Sequence, residues 1–187
     1  MRKFSVRPVL TLRGRKFKGL RGWAGKPLHP PLTDFPVTAY VLAAAFDVIA
    51  AAGRRHGFAP DFFHAGTYVF IGGAGVSLLA ALTGYWDWLK SSEKGTQARR
   101  TINTHAWIMI TVTVLAIVDI AIRLSTYHTR GYPNIATLIL SLAVAGLVSI
   151  GATYGGSLVY DYGFNVETAG DHPVWHVSEE DVFPGSH

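Results

Sequence analysis

The sequence predicts an all-α membrane protein: a four-transmembrane-helix bundle with both termini cytoplasmic. Three observations carry that expectation. Charged residues make up only 16% of the 187, against about 25% in an ordinary soluble domain. The few charges lie almost wholly outside four long apolar blocks. Most of the basic ones fall on one side of those blocks. The apolar share, 49%, would not stand out in a soluble protein, but the mean hydropathy of +0.25 is high for one.

The first block, FPVTAYVLAAAFDVIAAA, runs over 35–52 and is interrupted by Asp47 alone. The second, AGTYVFIGGAGVSLLAALT over 65–83, has no charge. The third, AWIMITVTVLAIVDIAIRL over 106–124, carries Asp119 and Arg123 near its far end, and the fourth, IATLILSLAVAGLVSIGATY over 135–154, is again uncharged. At about 1.5 Å per residue, each is long enough to cross a hydrocarbon layer of about 30 Å. Each is apolar all round and not along one stripe, so these are not the amphipathic helices of a soluble bundle. Four fully apolar helices would also leave too little polar chain to cover them in water.

Orientation follows from the positive-inside rule. Residues 1–34 hold nine Lys or Arg and the segment between blocks two and three holds four (Lys90, Lys94, Arg99, Arg100), whereas Arg54, Arg55, Arg123 and Arg130 fall to the opposite side. Three regions result: a basic cytoplasmic segment, 1–34; a transmembrane domain, 35–160; and an acidic cytoplasmic tail, 161–187. The N-terminal segment has no apolar stretch of its own before the first span, so it does not read as a cleavable signal. Its alternation of basic with aromatic or apolar residues, LRGRKFKGLRGW, fits an anionic lipid surface better than a nucleic acid, because it leads directly into a span. The tail carries Asp161, Glu167, Asp171, Glu179, Glu180 and Asp181 without a single Lys or Arg. A basic head and an acidic tail on one face can pair or dock a partner.

The absence of cysteine excludes a disulfide scaffold, thiolate metal sites, Cys-ligated iron–sulfur clusters and covalent haem attachment. No serine–histidine–acid motif, phosphate loop or HExxH motif is present, so hydrolase and NTPase chemistry have no support. Gly66, Gly72, Gly73 and Gly75 in block two, and the GxxxG of Gly151 and Gly155, let helices approach closely. Close packing within the bundle accounts for them; a cofactor wedged against the glycine face is the sharper alternative.

Ionisable groups inside the spans need a partner. Asp119 and Arg123, four residues apart on one helix, can satisfy each other. Asp47 has no partner nearby in sequence; it is protonated, bonded across to another helix, or part of a proton or cofactor site. His29 and His105 fall at the cytoplasmic ends of two different helices. Two neutral imidazoles from separate helices are what axial ligation of a b-type haem requires. His64 and His128 form a possible second pair on the outer side. Asp34 and Asp87 share the cytoplasmic side with His29 and His105 and can orient a histidine or join a metal site. Asp87 lies between Trp86 and Trp88, a triplet that also suits an interfacial aromatic belt.

Taken in order, GKPLHPPLTDFPV, AAAFDVIA, LTGYWDWLK, INTHAW and GGSLVYDYG make the chain resemble the DUF2231 family of small prokaryotic membrane proteins, over roughly residues 25–165. His29, Asp47, the Asp87-Trp88 pair and His105 match the family pattern; His64 and His128 have no counterpart in it. Relatives are fused to, or encoded with, Rieske-type, cytochrome c or quinoprotein dehydrogenase modules. The resemblance therefore implies a multi-pass protein of a prokaryotic cytoplasmic membrane that serves as an electron-transfer subunit. The expected reading is a cytochrome b-like subunit with haem b held by His29 and His105, and Asp47 and Asp87 as orienting or proton-handling groups. A redox protein partner, the lipid bilayer and anionic lipid complete the expected partners, and nucleic acid is not among them. Two alternatives stand beside it: a cofactor-free accessory subunit packed against a larger membrane complex, and an ion or proton transporter built on Asp47 and Asp119.

Overall fold

A computed structural model describes residues 27–90 and 94–164. They form four long helices: α1 (His29–Ala52), α2 (Ala59–Lys90), α3 (Gln97–Thr126) and α4 (Ile135–Tyr160). All four are long and apolar enough to span a membrane. The basic stretch up to Lys26 and the acidic tail from residue 165 lie outside the described residues.

The helices outrun the apolar blocks. α1 begins six residues before the first block, because Pro30 and Pro31 occupy its first turn, where an amide hydrogen has no helical acceptor to lose. α3 begins nine residues before the third block. There Thr96, in extended conformation, accepts the Arg99 amide at 3.1 Å, and Gly95 supplies the left-handed turn just ahead (φ 85°). Asn134 caps α4 in the same way, accepting from the Thr137 amide at 2.9 Å. Apolarity marks what sits in the hydrocarbon, whereas backbone hydrogen bonding continues until a cap or turn ends it.

The helices pack as a square. α1 lies against α2 and α4, and α3 against α2 and α4, with α1 and α3 on a diagonal. Neighbours are antiparallel: the start of α1 meets the end of α2 at His29 and Ala80, and the start of α3 meets the end of α4 at His105 and Gly151. The beginning of α1 and the end of α4 therefore share one end of the bundle, called here the terminal end; the α1–α2 and α3–α4 connections form the other, the loop end.

The mid-section is apolar. Tyr40, Ala43, Phe70, Val112, Ala116, Val144 and Val148 form the core, with Tyr40 and Phe70 rings 4.9 Å apart. The Tyr40 hydroxyl donates to Ser77 Oγ at 3.1 Å, and Ser77 passes its own hydrogen to the Ala74 carbonyl. Gly73 lets α1 and α2 close up: a Cβ there would stand 2.7 Å from that of Ala39. Gly72, Gly75 and Gly146 face open space instead. Leu78, Leu82, Trp107, Ile117, Ile135 and Ile139 point outward, as lipid-facing side chains do. With lipid outside, such packing is driven by close van der Waals contact and interhelical hydrogen bonds.

Candidate functional site

The bundle holds polar groups at both ends of its core, and in each case they join α1 to α3 across the diagonal. At the terminal end, the His29 and His105 rings meet with centroids 6.4 Å apart and planes at 84°. His29 Nδ1 lies 2.8 Å from the Ala80 carbonyl on α2 and 3.3 Å from Thr83 Oγ1, while His105 Nδ1 lies 2.8 Å from the Gly151 carbonyl on α4. A carbonyl can only accept, so Nδ1 carries the hydrogen in both rings, and in the neutral form Nε2 is the lone-pair nitrogen.

Each ring rests against a glycine. A Cβ on Gly84 would come within 2.5 Å of His29 Cε1, and one on Gly155 within 3.2 Å of His105 Cε1. Of the GxxxG pair in α4, then, Gly151 supplies an acceptor and Gly155 the space. Ala80, Thr83 and Gly84 went unremarked as a group in the sequence, although their spacing puts them on one face of α2 together with Asp87. That i, i+3, i+4, i+7 pattern of small and polar residues was the available signal.

Asp87 is buried on that face, one turn beyond Thr83. Its flanking tryptophans part company. Trp86 is exposed beneath the Lys90 ammonium, whereas Trp88 turns inward, donates from Nε1 to Asn103 Oδ1 at 2.8 Å and lies under the Arg99 guanidinium. Asp34 is exposed near the start of α1.

Asp47 does not join the histidines. Eighteen residues of helix, about 27 Å, separate it from His29. Nor does it lack a partner: Arg123 Nη1 donates to Asp47 Oδ1 at 3.1 Å, and Nη2 donates to Oδ2. The expected Asp119–Arg123 pair is present as well, with Nε donating to Asp119 Oδ2 at 3.0 Å. All three side chains are fully buried. Arg123 Nη1 also reaches Thr67 Oγ1 at 3.4 Å, and the guanidinium stacks 4.7 Å from the Phe70 ring. The partner of Asp47 was hidden because it lies 76 positions away; only packing brings the two together.

His64 and His128 form no pair. The His64 ring packs on Tyr127 at 4.6 Å, and Tyr127, which also contacts His128, shares a 2.5 Å hydroxyl–hydroxyl hydrogen bond with Tyr68. Among the described residues no three His, Asp or Glu side chains gather as a metal-binding group. What the terminal end offers is narrower: two lone-pair nitrogens, each held in place from behind, at the meeting point of all four helices.

These features define a class of protein, a small four-helix membrane bundle with a histidine pair at one end of its core and a buried ion cluster at the other. The chain belongs to DUF2231, a family described as predicted membrane proteins, which matches it over residues 25–168. No curated protein and no solved structure matches it.

Proposed function

We propose that the protein is a cytochrome b-like electron-transfer subunit of a prokaryotic cytoplasmic membrane, holding a b-type haem between His29 and His105. The observation that carries this reading is the orientation of the two imidazoles from behind: each Nδ1–H is engaged by a backbone carbonyl of another helix. Such a partner selects the tautomer a metal needs and raises the basicity of the free nitrogen. His29 and His105, whose rings meet with centroids 6.4 Å apart, are the two residues that would hold the iron, each through its Nε2. The glycine seats are cradles that a Cβ would fill.

Bound there, haem iron would supply one-electron transfer, with no further reaction asked of the protein. The chain's own part is to hold and aim two ligands and to keep the site dry with its apolar core. Asp87, on the α2 face that holds His29, is placed to favour positive charge at that end. The thirteen basic residues counted to the terminal side support a cytoplasmic orientation of that end, in which the basic head would meet anionic lipid and the acidic tail would engage a redox partner.

The test is the reduced-minus-oxidised visible spectrum of the full chain purified from haem-replete cells. A b-type spectrum that is lost in both His29→Ala and His105→Ala is the expected result. A colourless protein, or variants that keep the full haem complement, would overturn it.

One observation favours a second reading, the cofactor-free accessory subunit. The two rings already pack edge to face, each with its hydrogen bond made, so the pair is also complete as an interhelical contact. Colourless protein that co-purifies stoichiometrically with a larger membrane complex would select this reading.

A further inference from the structure

The charged cluster at the loop end is independent of the haem reading. Its charges do not cancel: Arg123 brings one positive charge to two carboxylates, and all three groups are fully buried. Asp47 takes the terminal nitrogens of the guanidinium with both its oxygens, so neither oxygen is left over. Asp119 uses only Oδ2. Its Oδ1 is buried with no hydrogen-bond partner among the described residues, and the same holds for Thr137 Oγ1 on α4. Thr137 of α4 faces Asp119, close enough for the two side chains to interact. A surplus negative charge and two unpartnered oxygens in an apolar interior are both strongly unfavourable. A Thr137 hydroxyl aimed at Oδ1 would relieve the two oxygens but leave the surplus charge, which only a proton removes. On Oδ1 it neutralises the surplus and gives a carboxyl hydrogen that can be donated to Thr137 Oγ1.

We infer that Asp119 holds an exchangeable proton, which makes the Asp47–Arg123–Asp119 cluster a buried proton-binding site at the loop end of the bundle. Each helix contributes a facing group: Asp47 from α1, the Thr67 hydroxyl from α2, Arg123 from α3 and Thr137 from α4. His64, one turn outward from Thr67, has a buried Nε2 that is also without a hydrogen-bond partner among the described residues, and it packs on Tyr127 at the helix end. His64 thus stands on the loop side of the cluster, one turn of α2 nearer the helix end than Thr67. Uptake is simple protonation of a carboxylate, with no bond broken in the chain.

Infrared spectroscopy of the full chain in lipid nanodiscs near neutral pH reads this proton directly, since exposed carboxyls are then ionised. The expected result is one protonated-carboxyl carbonyl band that shifts in D2O and disappears in Asp119→Asn. The same band is expected to vanish in Asp47→Asn, where a single carboxylate faces a single guanidinium and no surplus remains. Thr137→Val is expected to keep the band but move it to higher frequency, through loss of the hydrogen-bond acceptor; this variant carries the test if either acid variant fails to fold. A wild-type spectrum without the band would overturn the inference, as would a band that survives Asp119→Asn or one that ignores Thr137→Val. Absence of the band together with sodium-dependent thermal stability lost in Asp119→Asn would assign the site to a metal cation instead.

Discussion

Arg123 of α3 reaches across the bundle diagonal and grips Asp47 of α1 with both terminal nitrogens of its guanidinium, while its Nε holds Asp119 one turn back on its own helix. Like the His29–His105 contact at the other end, this pairing ties together two helices that stand at opposite corners of the square. Arg123→Met would strand two buried carboxylates and is expected to cost about 3–5 kcal/mol, the usual penalty for removing one partner of a buried ion pair. Replacing all three together with apolar residues (Asp47→Leu, Asp119→Leu and Arg123→Met) is expected to cost far less, since no charge is then left buried. Thermal unfolding in one detergent, compared across the variants, checks both; equal losses would show that the charges do not interact.

Gly84 and Gly75 lie nine residues apart on α2 and predict opposite outcomes. A Cβ at Gly84 would press into the His29 ring, so Gly84→Ala is expected to displace that ring and destabilise the protein by about 1–3 kcal/mol, the range for overpacking. Gly75 faces open space, and there Ala is expected to be neutral or to gain up to about 1 kcal/mol through better helix propensity. The same unfolding assay reads both, and the visible spectrum reads any effect on the site.

Tyr127, beyond the end of α3, titrates above the ordinary phenol range, chiefly because of its hydrogen bond with Tyr68. The folded state thus favours the neutral phenol. The contribution is whole below about pH 10 and is lost as pH rises through the raised value. Ultraviolet phenolate titration of Tyr68→Phe is expected to bring Tyr127 back toward its ordinary range; an unchanged titration would remove the hydrogen bond as the cause.

The helices were legible because a membrane span needs a run of apolar residues whatever it packs against. Their ends were less so. His29 through Phe35 read as an approach to the membrane, yet it is helix, since prolines in a first turn forfeit nothing. The meeting of His29 with His105 could be expected from their placement at the same ends of two helices. Their glycine seats and carbonyl partners could not, because a block that is apolar all round does not reveal which face turns inward. Asp119 with Arg123 was readable from a four-residue spacing; Asp47 with Arg123 was not, and the acid placed beside the histidines stands at the other end of the core.

Composition and the placement of charge determined by themselves that this is a four-span membrane protein, since the cost of charge in hydrocarbon and the length of a span are local properties of the chain. Which of its buried ionisable groups share a site was decided only by the tertiary structure. Antiparallel packing on a square brings α1 and α3 together at both ends, puts His29 with His105 and Asp47 with Arg123, and keeps the two pairs apart by the length of an apolar core. Hydrogen bonds and ion pairs act over a few ångströms, and those distances exist only once the helices have packed.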